Sequence, residues 1–335
     1  MVLRRIAVTS VCFLTHRVAA YGPRVTRISQ GALNGFPFMQ RRMHLQQRHG
    51  GAASNDHNEH DVGGAKEVFA LDFDGVICDS VGESSRSGFK AVKNFWPEVV
   101  ADLEARQGSS AEEGVAPTWF VEKMKELRPV VETGYENVLL GRLLIEEKLG
   151  TTPASSNGLL ESWGPAARDD VMQRYGVDRD CLVEAFGRAR DDWMASDFQG
   201  WLGANGFYEG MRKAVLACPG EVYVVTTKQQ RFARALLENA GLHIPEERIF
   251  GLGSGPKVDV LAELKARHSG STIHFFEDRV ETLEGVCDDK RLEDLRLYLC
   301  AWGFNTDEHR SRGEANARIR VIGVDDAMGI LGGPS

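Results

Sequence analysis

Hydrophobic residues form short uninterrupted runs in this 335-residue sequence, and segments with helical spacing separate several of them. The first run, at residues 68–71, is typical of a strand that is buried on both faces of a parallel sheet. Further runs predict strands at residues 221–227, 248–253, 272–278, 295–303 and 317–324. Helical spacing lies between them, for example at 229–240 and 258–268. Strands that alternate with helices predict an α/β fold with a Rossmann-like parallel sheet core.

The sequence between the first and second predicted strands is helical in pattern and has little strand signal. Apolar positions recur every three to four residues in four segments: residues 87–100, 119–131, 137–149 and 171–194. We therefore predict an α-helical cap domain at residues 83–201. It would be inserted into a core domain that comprises residues 67–82 and 202–330, with the return to the core near residues 205–210.

Composition and charge limit the class of protein. The chain is long enough for roughly two domains, and its 42% hydrophobic and 26% charged residues are ordinary for a globular protein. Residues 1–55 hold eight arginines and no acidic residue, so the remainder has 32 basic against 48 acidic residues. An acidic body argues against a nucleic-acid partner. The six cysteines have no paired spacing, which argues against a zinc site or a disulfide framework.

An arginine-rich start without acidic residues is typical of an organellar transit peptide. We predict a targeting leader at residues 1–50 and a linker at 51–66, with a mitochondrion slightly favoured over a plastid. A disordered basic tail is one alternative. A secretory signal is another, because Arg4 and Arg5 precede an apolar run at 6–14, and a bipartite leader would use both features. That run is too short to span a bilayer, so we expect no membrane partner.

Two aspartates follow the first predicted strand directly. Asp72 and Asp74 would lie at the carboxyl edge of the sheet, where α/β proteins bind ligands, and Gly75 marks the turn. Like charges so close together repel unless a cation or a shared proton compensates them. The pair therefore suggests metal binding and a division between a nucleophile and an acid/base. The alternatives are turn chemistry or a calcium loop, but an EF-hand needs D-x-D-x-D-G spacing.

Four motifs in order resemble those of the haloacid dehalogenase (HAD) superfamily. They are the segment DFDGV at residues 72–76, a strand that ends in Thr226, Lys257 within the segment SGPKVDVL, and the acidic pair Glu277-Asp278 at the end of a later strand. The resemblance spans about residues 67–305. It implies the HAD fold, in which an α-helical cap is inserted after the first motif.

The resemblance also implies a role for each of five residues. Asp72 would attack phosphorus to form an aspartyl-phosphate, and Asp74 would protonate the leaving group and later accept a proton from water. Mg²⁺ would be held by the Asp72 carboxylate, the backbone carbonyl of Asp74 and Asp278. Thr226 would donate a hydrogen bond to a phosphoryl oxygen. Lys257 would neutralise the phosphate and the carboxylate.

The fourth motif departs from the family pattern. Glu277 stands where glycine is usual, and Thr282 stands at the second acidic position. Glu277 or Glu281 could assist the metal through a water molecule, and Arg279 would be a surface residue or a substrate contact. Lys228 could compete with Lys257 for the phosphate, although a surface or cap-facing position is favoured.

The cap offers three candidate substrate contacts. Arg128, Glu132 and Tyr135 have helical spacing, so they could share one face that looks into the active site. The alternative is a solvated helix face with a packed tyrosine. Trp302, together with the neighbouring Gly303 and Asn305, could line the same mouth, and core packing explains Trp302 equally well.

Asp74 limits the choice of reaction, because family members that act on carbon–halogen bonds or phosphonates lack an acid at this position. The resemblance therefore predicts a Mg²⁺-dependent phosphatase that acts on a small phosphorylated metabolite, and a closing cap would favour small substrates. One alternative is a phosphomutase of the β-phosphoglucomutase type. Another is a catalytically weak HAD-fold binding protein, which the altered fourth motif would suit. The metabolite and the oligomeric state stay open at this point.

Overall fold

The structure, a computed structural model, describes residues 66–107, 115–152 and 154–332. The strands in these ranges are β1 Glu67–Leu71, β2 Cys78–Asp79, β3 Gly206–Phe207, β4 Glu221–Val225, β5 Ile249–Phe250, β6 Thr272–Glu277, β7 Arg296–Cys300 and β8 Ile319–Ile322. The helices of the inserted segment are α1 Val81–Phe95, α2 Pro97–Gln107, α3 Thr118–Leu127, α4 Glu136–Leu149, α5 Ser156–Ser162, α6 Pro165–Tyr175, α7 Arg179–Ser196 and α8 Phe198–Gly203. The later helices are α9 Glu209–Ala217, α10 Gln230–Asn239, α11 Lys257–Arg267, α12 Val280–Asp288, α13 Asp307–Ala315 and α14 Val324–Leu331.

Six of the strands form one parallel sheet in the order β5-β4-β1-β6-β7-β8. The central strand β1 pairs with β4 on one side and β6 on the other, so that Leu71 lies opposite both Val224 and Phe276. Because these three strands end at the same level, the residues that follow them meet at one edge of the sheet. The prediction of a Rossmann-like parallel sheet is confirmed.

Helices cover both faces of this sheet. Successive side chains of β1 point to opposite faces, and those from residue 68 to 71 are all buried, so both faces must be covered. Phe69 and Leu71 pack in a core cluster with residues of α9, α10 and α14. Val68 and Ala70 pack in a second cluster with residues of α11 and α12. All four side chains are almost completely buried. The core is therefore a three-layer α/β sandwich, which fixes the position of the central strand ends.

The predicted helical cap is confirmed, and it has a hydrophobic core of its own, formed by side chains of α1 to α7. Two of the predicted helices are each broken into a pair. The first break falls at Trp96, because Pro97 begins α2 and a proline is suited to the first helical position. The second falls at Gly176, whose φ of 63° ends α6 in the left-handed conformation.

The chain leaves and re-enters the core through a short two-stranded ribbon. Strands β2 and β3 pair antiparallel, with Cys78 opposite Phe207 and Asp79 opposite Gly206. The backbone N–H of Tyr208 adds a hydrogen bond of 3.0 Å to the carbonyl of Ile77. Two tryptophans from the last helices before β3, Trp193 and Trp201, pack in the cluster of the core rather than that of the cap. The end of the inserted segment is therefore anchored on the sheet domain.

The predicted targeting leader and the linker up to residue 65 lie outside the described residues, so the expectation of an organelle stays a prediction. In the part of the chain that the structure describes, every helix is too short or too polar to cross a bilayer.

Candidate active site

The ends of the three central strands open into one pocket of about 280 Å³. It is lined by the five residues to which the four motifs assign a role, and by two of the three predicted cap residues: Asp72, Asp74, Thr226, Lys257, Asp278, Arg128 and Glu132. The structure thus brings together side chains that lie more than 200 positions apart in sequence. The sheet order explains the convergence, because β1 lies between β4 and β6.

Asp72 is a buried carboxylate, only 6% exposed, directly after the central strand. Its Oδ1 lies 3.1 Å from the Nζ of Lys257, but this contact lacks hydrogen-bond alignment, and Oδ1 has no hydrogen-bond partner within the described residues. Burial raises the pKa of Asp72 to about 6, with Lys257 opposing the shift and the charges of Glu277 and Asp74 adding to it. A second cation beside Asp72 would therefore favour its ionised form.

Lys257 begins α11 and lies between two carboxylates. Its Nζ is 2.6 Å from Oε2 of Glu277 and 3.1 Å from Oδ1 of Asp72. Burial alone would lower the pKa of Lys257, but the two carboxylates outweigh it and raise that pKa above its ordinary value. Lys257 is thus a fixed positive charge beside Asp72.

Glu277 makes direct contacts where the sequence suggested only a water-mediated role. It is fully buried, and its Oε1 accepts hydrogen bonds from the backbone N–H groups of Asp278 (3.0 Å) and Arg279 (3.1 Å). Its Oε2 accepts from Lys257. The glutamate that replaces the usual glycine therefore fixes both the lysine and the backbone that leads into Asp278. Glu281 is paired instead with Arg312, at 2.8 Å.

Three buried carboxylates form a cluster that could hold a cation. Asp72, Glu277 and Asp278 each offer an oxygen, and these atoms all lie within 4.8 Å of one another. Burial, together with the charges of Glu277 and Asp72, raises the pKa of Asp278 well above its ordinary value. One lysine does not balance three buried carboxylates, so the cluster fits a hard divalent cation such as Mg²⁺. Among the described residues, the side chain of Asp74 is not part of this cluster.

The loops around Asp278 leave no free space beside one of its carboxylate oxygens, Oδ2. Gly75 has a φ of 89°, and a Cβ there would lie 1.9 Å from Oδ2 of Asp278. The same Oδ2 accepts a hydrogen bond of 2.7 Å from the backbone N–H of Phe304. Asn305 Nδ2 donates to the backbone carbonyl of Asp278 at 3.1 Å. Trp302 donates to the carbonyl of Val76, so it supports the first motif and does not line the pocket.

Asp74 faces Lys228, the lysine for which the sequence predicted a surface or cap-facing position. Lys228 Nζ lies 3.0 Å from Oδ1 and 3.4 Å from Oδ2 of Asp74. Burial would raise the pKa of Asp74, but the charges of Lys228 and then Arg128 lower it to about 2. Lys228 is only 3% exposed, so a surface position is wrong. Its Nζ lies 3.8 Å from Oε2 of Glu83 in the inserted helical segment, so the cap-facing alternative is what the structure shows. The backbone N–H of Lys228 donates to Oγ1 of Thr226 at 3.1 Å, which leaves the threonine hydroxyl hydrogen for another acceptor.

The predicted cap residues do not share a helix face. A 3₁₀ turn covers Arg128–Val130, and the backbone is extended at Val131, so the helix ends beside Pro129. Arg128 and Glu132 line the pocket, whereas Tyr135 is buried in the core of the cap. The packed tyrosine, which was the alternative, is what the structure shows.

The cap loop that carries these residues is docked on the strand-end loops. Thr227 Oγ1 donates to the carbonyl of Glu132 at 2.9 Å, and Arg279 donates to the carbonyl of Pro129 at 3.3 Å. The guanidinium of Arg128 lies 4.1 Å from the centre of the Phe304 ring. Arg279 is therefore a cap contact as well as a residue that lines the pocket.

No family model and no curated protein matches the sequence. Solved structures that align with this chain include a predicted phosphatase from Clostridium acetobutylicum, at 16% identity over 80% of this chain and 99% of that chain, with a TM-score of 0.45. A predicted phosphoglycolate phosphatase from Haemophilus somnus aligns at 13% identity over 78% and 96%, with a TM-score of 0.47. A haloacid dehalogenase-like family hydrolase from Streptococcus pneumoniae aligns at 11% identity over 79% and 98%, with a TM-score of 0.39. At these values the chemistry has to be judged from the residues of this chain.

Proposed function

We propose that this chain is a Mg²⁺-dependent phosphatase of the HAD type, which hydrolyses a small phosphorylated metabolite through an aspartyl-phosphate. The observation that supports this most directly is the setting of Asp72. It is a buried carboxylate at the end of the central strand, beside the fixed charge of Lys257 and inside a cluster with Asp278. Such a carboxylate can be the nucleophile towards phosphorus when a cation shields it from the anionic substrate.

The acidic cluster supports the choice of metal. Asp72 and Asp278 would hold Mg²⁺, with the backbone carbonyl of Asp74, and substrate and water oxygens would complete the coordination. When bound, Mg²⁺ would shield the nucleophile and stabilise negative charge on the transferring phosphoryl group. Glu277 is already bonded to Lys257 and to two backbone N–H groups, so its part is to orient the others.

In the first step, an oxygen of Asp72 bonds to phosphorus while the bond from phosphorus to the ester oxygen breaks. Lys257 and the Thr226 hydroxyl stabilise the phosphoryl oxygens. Asp74 gives its proton to the leaving oxygen. A phosphate dianion beside Asp74 opposes the charge of Lys228 and raises the pKa of Asp74, which favours the protonated form that this step needs.

In the second step, water attacks the phosphorus of the aspartyl-phosphate. The Asp74 carboxylate accepts the proton of that water, and the ionised form that Lys228 stabilises is suited to this role. The bond between phosphorus and the Asp72 oxygen then breaks. Inorganic phosphate leaves and the Asp72 carboxylate is regenerated.

The pocket supports a small, anionic substrate. Its volume of about 280 Å³ is at the lower end of the range for ligand sites. Three basic side chains line it, namely Lys257, Arg128 and Arg279, against five acidic ones, so binding of an anion would depend on the bound cation as well. The docked cap loop covers the pocket. A polymer or a phosphorylated protein segment would need the cap to move away.

Replacing Asp72 with Asn tests the mechanism, because the amide cannot form the phosphoenzyme. We expect the turnover of phosphate esters to fall by a factor on the order of a thousand or more. Phosphate release from a panel of phosphorylated metabolites would be measured with and without Mg²⁺. Asp180→Asn is the control, since that side chain is 94% exposed on α7. Retained Mg²⁺-dependent turnover in Asp72→Asn would refute the mechanism, and isomerisation of a sugar phosphate without phosphate release would support the phosphomutase.

A further inference from the structure

A series of buried charged side chains, each in contact with the next, leads from Asp74 into the protein. Lys228 Nζ lies 3.0 Å from Oδ1 of Asp74 and 3.8 Å from Oε2 of Glu83. Arg190 binds both oxygens of Glu83, with Nε at 2.8 Å from Oε1 and Nη2 at 2.7 Å from Oε2. Ser87 donates a further hydrogen bond to Glu83 at 2.6 Å. We call the residues Lys228, Glu83 and Arg190 the charge network.

The charge network is almost fully removed from solvent. The side chains of Lys228, Glu83 and Arg190 are 1%, 0% and 5% exposed. Removing ions from water costs several kcal/mol each, and packed apolar side chains of similar volume often give the same stability or more. Folding alone therefore does not call for charged residues at these positions, and their arrangement needs another reason.

The charge network joins the cap to the core. Glu83 lies in the first turn of α1 and Arg190 lies in the second half of α7. Lys228 follows the core strand β4, as Asp74 follows β1. The pair of Glu83 and Arg190 thus joins α1 to α7. The contact between Glu83 and Lys228 links these two helices with the loop beside the proposed acid/base.

Lys228 reaches Asp74 from outside the substrate pocket. Among the described residues that line the 280 Å³ pocket, Asp74, Thr226 and Lys257 are present and Lys228 is not. Lys228 instead lines a separate cavity of about 20 Å³, which Asp74 and Arg190 also line. Its charge therefore acts on the Asp74 carboxylate, while Lys257 is the lysine that faces the phosphate.

We propose that Lys228 is a positioning residue for Asp74, and that Glu83 and Arg190 hold Lys228 in place from the cap. This inference rests on the proposed phosphatase function. Lys228 contacts both oxygens of Asp74, so it limits rotation of the carboxylate. A lysine stem is itself flexible, but Glu83 fixes its ammonium group, and Arg190 together with Ser87 fixes Glu83. The cap helices thereby orient the group that transfers the proton.

The leaving group of the substrate provides the test. An alkoxide needs a proton from Asp74 as it leaves, whereas p-nitrophenolate leaves with little help, so loss of positioning should affect the two esters differently. The values of kcat/KM would be measured with Mg²⁺ for the full chain, on p-nitrophenyl phosphate and on an alkyl phosphate. We expect Lys228→Met to lower the value for the alkyl ester by about 10- to 100-fold, and that for the aryl ester by no more than about threefold.

A matched control is present beside the charge network, on α7 and α10. Arg231 of α10 pairs with Asp191 of α7 at 2.8 Å, so it also links cap and core, but both side chains are about half exposed. Arg231→Met should leave the ratio of the two kcat/KM values unchanged. Glu83→Gln is the second test variant, because it keeps the shape of the side chain. It should shift the ratio in the same direction as Lys228→Met, and thermal unfolding would be followed for each protein.

Each outcome decides the matter. Equal losses on both esters in Lys228→Met would overturn the positioning role. If that variant does not fold, a shifted ratio in Glu83→Gln supports the role and an unchanged ratio overturns it. A wild-type chain that releases phosphate from neither ester nor any member of the metabolite panel overturns the proposed function, and the positioning role with it.

Discussion

At the scale of single residues, the acidic side chains around Asp72 outnumber the basic ones. Asp72, Glu277 and Asp278 lie within 4.8 Å of one another, and Lys257 contacts two of them. Burial, together with the neighbouring carboxylates, raises the pKa of Asp72 and of Asp278. The backbone of Gly75 and of Phe304 closes around the Asp278 carboxylate, so its position is set by contacts on several sides.

Gly75→Ala is predicted to disturb this cluster. The new Cβ would lie 1.9 Å from Oδ2 of Asp278, in a backbone conformation that alanine rarely adopts. We expect weaker Mg²⁺ binding and a loss of phosphatase activity, both measured by titrating Mg²⁺ into the enzyme assay. Gly150→Ala is the control, because it introduces the same backbone strain without a steric clash. Gly150 has a φ of 67°, and a Cβ there would have nothing within 4 Å. That control should cost roughly 1–2 kcal/mol of stability and keep its activity; equal effects of the two variants would contradict the prediction.

The pocket residues that follow a strand directly could be found from the sequence. Asp72, Thr226 and Asp278 each stand at the end of a visible hydrophobic run, and parallel strands bring such ends together. The partnership of Lys228 with Glu83 could not be found this way. Its members are 145 positions apart and lie on different elements, and no local spacing signals a contact that depends on how the cap is seated.

Among the elements of the cap, α4 has the most completely buried surface. Val138, Leu139, Leu140, Leu143, Leu144 and Ile145 are each no more than 1% exposed. The helix contacts α1, α2 and α3, which surround it. A helix that is hydrophobic on all sides forms the centre of its domain, so the stability of the cap depends on how well α4 is packed.

Leu140→Ala should therefore destabilise the protein. Leu140 is fully buried, and removing its side chain from a packed core is expected to cost about 2–5 kcal/mol in the free energy of unfolding. Urea denaturation followed by circular dichroism would measure it. Leu216→Ala on α9 is the control, because Leu216 is 53% exposed and its loss should change stability by no more than about 0.5 kcal/mol. Similar losses in both variants would argue against a tightly packed cap.

The existence of the helices was predictable from apolar spacing, but several of their boundaries were not. Pro97 and Gly176 each end a helix that the apolar spacing alone had continued. The segment from Arg128 to Tyr135 had helical spacing but forms a 3₁₀ turn and a loop. There Pro129 removes a backbone donor, and the loop obtains its contacts from Thr227 and other core residues, which the sequence of the cap does not show.

For the whole molecule, metal binding and protonation should compete. The pKa of Asp72 is raised from 3.8 to about 6, so the folded chain without metal binds this proton more tightly than the unfolded chain does. The protonated Asp72 therefore stabilises the folded chain below about pH 4, and this contribution to the free energy of unfolding is lost as the pH rises towards about 6. Mg²⁺ binds the ionised carboxylates, so it should stabilise the fold more at neutral than at acidic pH.

We therefore expect the Tm increase on adding Mg²⁺ to be several degrees at about pH 7.5, and less than about half of that at about pH 5. Differential scanning fluorimetry at matched ionic strength would measure both. Asp278→Asn should lose most of the Mg²⁺ response at either pH. A Tm increase that is the same at both pH values, or that persists in this variant, would place the bound cation elsewhere.

The ribbon formed by β2 and β3 has a consequence for how the chain folds. Val68 pairs with Glu221 across 153 positions, and the entropy of closing a loop grows with the logarithm of its length. The cap has its own hydrophobic core, and its two ends are held side by side where Cys78 meets Phe207. If the cap and ribbon form first, only the short segments from the ribbon to β1 and β4 remain to be closed. Although β1 and β4 are remote in sequence, their pairing would then cost only the loop-closure entropy of two strands that are close in sequence.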